Sequence, residues 1–144
     1  VFGYGNTGSV TNITNKVSNS GVVATDTTGV GTSRFSLAAT TYGSTGQAVF
    51  GYGGTTGGSL GMTNKVSNTG VVSSDTSGVG SSRATLAACS YGGDKGIFGY
   101  GNTGGSSYTA ITNLVNNLGT VAADVSGVGT ARQSLAACGF SYAA

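Results

Sequence analysis

Asp26, Asp75 and Asp124 each stand eight residues ahead of an arginine, Arg34, Arg83 or Arg132, and both sets recur at 49-residue intervals. Together they are six of the ten charged side chains in a chain of 144 residues. Two chemistries fit this pattern. A guanidinium can bridge the carboxylate or cap carbonyls left open between neighbouring strands. Alternatively, a ring of repeated charges can line a site for an anion or a sugar. Asn15, Asn64 and Asn113 share the same interval; they suit hydrogen bonding to turn backbone, with ligand contact as the alternative. Tyr4, Tyr52 and Tyr100 each lie between two glycines. Such a ring can pack against a neighbouring unit with its hydroxyl at the rim, or form a platform on which a sugar or peptide stacks. Cys89 and Cys138 follow Arg83 and Arg132 by six residues, where Thr40 stands after Arg34. Exchange with Thr suits a small buried side chain, and free thiols are expected, because a disulfide needs Cα atoms within about 7 Å.

Much other chemistry is excluded. The chain has no His, so no Ser–His–Asp or Cys–His arrangement and no His-ligated zinc can form. Four carboxylates are little material for acid–base work, and a Cys without a His or cationic neighbour is a poor nucleophile. No catalytic residue, metal or cofactor is therefore expected. A net charge of +2 gives no basic footprint for nucleic acid. No apolar run approaches the roughly 18 residues of a membrane span. The GYGGTTGG segment lacks the GK[ST] ending of a phosphate loop. Asp94 and Lys95 form a charge pair outside the repeat, read as a solvated turn.

The elements that carry these residues come in three units. VFGYG, VFGYG and IFGYG place Phe2, Phe50 and Phe98 at intervals of 48 residues. Each motif leads into a Gly/Ser/Thr loop, a TN-[KL]-V segment, G-[VT]-V, D-x-[ST]-GVG and the arginine. The units are approximately residues 1–48, 49–96 and 97–144. Length varies in two places. The loop from Phe to Asn grows from 13 to 14 to 15 residues, and the segment from Arg to the next Phe is 16 and then 15. Insertions confined there mark surface turns.

Gly, Ser and Thr fill almost half of the chain, yet 38% of its residues are hydrophobic and gather in short clusters, so a packed fold rather than disorder is expected. Four strands per unit are expected: Ser36–Thr41, Ala48–Tyr52, Met62–Ser67 and Gly70–Ser73. Each is bounded by turn residues and rich in Val, Ala or aromatics. No stretch carries a helical period. Four short strands per unit of this length predict an all-β fold of β-propeller blades, three per chain.

Reading from Arg34, the sequence runs R-x-S-L-A-A, a turn, A-V-F-G-Y-G, a loop and T-N-K-V before the next arginine. This resembles the kelch repeat across all three units. It departs from that pattern in a glycine pair split as Gly-Tyr-Gly and in the missing outer-strand Trp, near which Val30, Val79 and Val128 stand. The GYG and GVG-x-x-R texture also resembles short-repeat, tail-fibre-like proteins of tailed bacteriophages. That second resemblance implies a virion or other extracellular setting.

The chain opens on the second strand of a unit and ends on the first, Arg132 to Tyr142, so joining the ends would make an ordinary repeat junction. Three blades are too few for a closed ring, and an open arc leaves apolar faces and strand edges unpaired. The simplest closure is a homodimer of six blades, with residues 132–142 of one chain pairing with residues 1–5 of the other. The functional expectation is a non-catalytic structural and binding module making weak polyvalent contacts with surface glycans. The alternative is a purely architectural or engineered self-assembling propeller fragment without ligand.

Overall fold

In the computed structural model, which describes residues 1–140, three main antiparallel sheets follow one another along the chain with a fourth, two-stranded sheet beside the second, and no helix occurs among the described residues. The first sheet pairs β1 (Phe2–Asn6) with β2 (Val10–Asn15). The second orders β3 (Ala38–Tyr42), β4 (Gln47–Gly51) and, after the small hairpin of β5 (Gly54–Thr55) and β6 (Gly58–Ser59), β7 (Thr63–Val66). The third orders β8 (Ala87–Tyr91), β9 (Lys95–Asn102) and β10 (Tyr108–Val115). A further edge segment lies against β2, β7 and β10 through paired bridges: Thr14 with Thr27 and Val17 with Val23, Thr63 with Thr76 and Val66 with Val72, Thr112 with Val125 and Val115 with Val121.

Burial explains why β4 is a short continuous apolar run. Successive side chains on a strand face opposite ways. Val49 points into a core with Tyr42, Tyr52, Leu86, Phe98, Val115 and Val121, drawn from the second and third sheets and the segments flanking them. Phe50 points into a core with Tyr4, Val66 and Val72 of the first and second units. Each core lies between adjacent units, so a sheet is stabilised by its neighbours. The rings of Phe50 and Phe98 meet Tyr4 and Tyr52 edge-on at 5.3 and 5.2 Å. Gly51 makes room for this contact: a Cβ there would sit 2.6 Å from the tip of Phe98.

The strand limits differ from expectation at points with one backbone cause. The first strand begins at Ala38 rather than Ser36, because Ser36, Thr85 and Ser134 take left-handed φ values of 53°, 53° and 54°. That turn aims Thr85 N at Ser36 O and Ser134 N at Thr85 O, both at 2.8 Å, linking unit to unit. The second strand stops at Gly51, where Tyr52 turns left-handed at φ 63°; Tyr4 and Tyr100 turn the same way inside β1 and β9, where the pairing shifts register and resumes. The third runs from Thr63 to Val66, and the fourth is reduced to the two bridges at Val72 and Thr76.

β1 is paired on one edge, with β2. Residues 133–140, which repeat the sequence leading into and through β3 and β8, form no strand. Their expected pairing with residues 1–5 is not made within the chain among the described residues; Ser141 and Tyr142 lie outside those residues.

Candidate functional site

The recurrent Tyr, Arg, Asn and Asp converge at the boundaries between units. At the first boundary the left-handed backbone of Tyr4 lays its ring under the Arg34 guanidinium, whose Cζ stands 4.1 Å from the ring centroid. The Tyr4 hydroxyl donates to Val30 O at 3.0 Å. Arg34 is fully buried. Its Nε donates to Tyr52 O at 2.8 Å, Nη1 to Thr32 O at 3.1 Å and Nη2 to Asn64 Oδ1 at 2.6 Å. Asn64 donates in turn to Ser73 O at 3.0 Å and to Asp75 Oδ1 at 2.9 Å. Thr32 donates to Asp75 Oδ2 from its amide at 3.0 Å and from its hydroxyl at 2.7 Å.

The same clamp recurs at the second boundary. Arg83 lies 4.1 Å over Tyr52, whose hydroxyl reaches Val79 O at 3.1 Å. Arg83 Nε donates to Tyr100 O at 2.9 Å, and Nη1 donates to Ser81 O at 3.2 Å. Asn113 donates to Ala122 O and Asp124, and Ser81 to Asp124. Arg83 Nη2 and Asn113 Oδ1 are buried without a hydrogen-bond partner. They are the equivalents of the two atoms that meet at 2.6 Å at the first boundary.

These partners correct the expected pairing. Arg83 with Asp75, Arg34 with Asp26 and Arg132 with Asp124 are not the contacts made. Asp75 instead faces Arg34, 3.9 Å away, and Asp124 sits in the field of Arg83. Each carboxylate therefore serves the arginine of the preceding unit. Stacking of units decides this, because Arg34 reaches forward to Tyr52 and Asn64 rather than back along its own loop.

The outer members of the two sets are open. Asn15 donates to Ala24 O at 3.1 Å and to Asp26 at 2.8 Å, the geometry of Asn64 with Asp75, but Asn15 is only half-buried, Asp26 is exposed, and no arginine among the described residues joins them. Arg132 lies 4.2 Å over Tyr100 and donates to Thr130 O at 3.1 Å, with no carboxylate partner among the described residues.

Electrostatics follows burial. Desolvation pulls Arg34 below the ordinary guanidinium range, opposed by Tyr4 and Asp75. Desolvation raises the Tyr52 phenol despite Arg83. Partial burial works to raise the Asp75 and Asp124 carboxyls. Hydrogen bonds from Asn64 and Thr32, or from Asn113 and Ser81, together with the facing arginine outweigh it and hold both below the ordinary range. The clamped guanidiniums donate to backbone carbonyls and, at the first boundary, to Asn64, while the carboxylates accept from Asn64 and Thr32 or from Asn113 and Ser81. Cys89 and Cys138 are free, and burial, then the neighbouring Cys138, pushes the Cys89 thiol up, away from a reactive thiolate. A groove of about 370 Å³ bordered by Lys16, Val17, Val49, Phe50 and Val66 presents no carboxylate or thiol. Asp94 and Lys95 pair with each other at 2.6 Å.

Sequence reasoning missed Thr32, Ser81 and the glycine before each. A side chain at Gly31 or Gly80 would run into Asp75 and Asn64, or into Asp124 and Asn113, and both glycines hold positive φ, 83° and 78°. The signal was present: Gly-Val-Gly-[Thr/Ser] precedes the arginine in every unit. No protein-family model matches the chain, and no curated protein matches its sequence.

Proposed function

We propose that the chain is a non-catalytic architectural module of β-propeller type, its kelch-like units serving as stacked blades. One observation carries this reading: at both boundaries within the chain, the recurring side chains that could have formed a ligand site are consumed in joining one unit to the next. Arg34 and Arg83 are fully buried, and Tyr52 beneath Arg83 is buried too. A tyrosine whose face carries a guanidinium and whose hydroxyl is bonded to a valine carbonyl is a poor platform for a sugar. A glycan array on the full chain tests the proposal. Silence across sugars is expected. Reproducible binding that Tyr100→Ala abolishes would return the recurrent tyrosines to a glycan-binding role.

A further inference from the structure

The two outer faces of the described chain are the two halves of the boundary it already makes twice inside. On the first unit, Phe2, Val17 and Val23 are 63%, 38% and 51% exposed. Their repeat equivalents are buried: Phe50 and Phe98 at 7% and 0%, Val66 and Val115 at 3% and 0%, Val72 and Val121 at 8% each. What buries those equivalents is the preceding unit's tyrosine face. Beside this open face Asn15 already orients Asp26 as Asn64 orients Asp75. On the third unit the complement is open. Tyr100 carries Arg132 on its ring, as Tyr4 carries Arg34, but among the described residues no phenylalanine edge meets it, unlike Tyr4 and Tyr52.

We infer that the chain docks head to tail on a second copy of itself. The Tyr100–Arg132 face of one copy covers Phe2, Val17 and Val23 of the other. Arg132 takes Tyr4 O, Asn15 Oδ1 and Asp26 as Arg34 takes Tyr52 O, Asn64 Oδ1 and Asp75. The occupant is specified by charge as well as by shape. Arg132 has no carboxylate partner among the described residues, and Asp26 has no arginine, so one contact completes both. The backbone fits the same register. β3 pairs with β4 through Ala38 with Gly51 and Ala39 with Phe50. The repeat equivalents are Ala136 with Gly3 and Ala137 with Phe2, so residues 136–137 of one copy add to the open edge of β1 in the other. The interface is heterologous, and each copy offers both halves.

This inference rests on the architectural reading and is tested separately from it. The full chain is followed by sedimentation velocity across a dilution series, with circular dichroism as a check on folding. Particles of two or more copies are expected, against 13.9 kDa for one. Phe2→Asp alters a side chain that is solvent-exposed in a single copy. It should leave the spectrum intact and weaken association at least about tenfold. Asp26→Arg and Arg132→Asp should each weaken association alone, and mixing the two variants should restore it, because each supplies the charge the other lacks. A folded wild-type chain that stays monomeric at its solubility limit would overturn the docking while leaving the module's architectural role standing. So would assembly indifferent to Phe2→Asp and to both charge reversals.

Discussion

Arg34 and Arg132 are the same residue in the same repeat position, yet their truncation should have very different consequences. Arg34 is fully buried, donates three hydrogen bonds, and lies 4.1 Å over the Tyr4 ring. Arg34→Ala strands Tyr52 O and Asn64 Oδ1, at a cost of about 1–3 kcal/mol for each buried group left unpaired. Loss of the stacking contact adds about 0.5–2 kcal/mol. The carboxylate of Asp75 is partly open to water at 3.9 Å, so its share is small. These losses overlap, and about 3–5 kcal/mol is the expected total, as for breaking a buried charged pair. That is a large part of the roughly 5–15 kcal/mol that holds a domain folded. Arg132 is exposed and keeps one hydrogen bond and one stacking contact, so Arg132→Ala should cost under about 1 kcal/mol in the unassociated chain. Urea unfolding followed by circular dichroism, below the concentration at which copies associate, measures both. Equal effects from the two variants, or a cost for Arg34→Ala below about 1 kcal/mol, would refute the clamp as the joint between units.

Two further outcomes follow from the same joint. Gly31→Ala should destabilise by about 2–3 kcal/mol, because the left-handed backbone disfavours a Cβ and Asp75 and Asn64 occupy its place; Gly46→Ala, also left-handed but with open space around it, should cost only about 1 kcal/mol. Comparing urea midpoints separates the crowding from the conformation. Asp75 and Asp124 have folded pKa values below the ordinary 3.8, so their contribution is fully present above that value and is lost as pH falls through the lower folded value. The urea midpoint should therefore show no carboxylate-linked fall between neutral pH and about 5 and decline below about 4, and Asp75→Asn should make that decline shallower. A midpoint that falls equally steeply in the variant would remove Asp75 from the acid response.

The threefold period, the all-strand character and the surface loops were legible in the residues, because each depends on neighbours close in the chain. Phe-Gly-Tyr-Gly and the Val-rich runs between glycines mark extended segments close in the chain. Which arginine meets which carboxylate was not legible. The eight-residue spacing joins Arg83 to Asp75 on paper, whereas the fold joins Asp75 to Arg34, across a boundary where two units stack. Nor do Tyr52 and Ser36 announce their left-handed backbone; stacking imposes it, since a ring must lie beneath a guanidinium and an amide must reach the next unit. Phe2 and Phe98 stand in near-identical pentapeptides, yet one faces water and the other is fully buried. Burial belongs to the neighbour that covers a side chain, and a local motif carries no record of that neighbour.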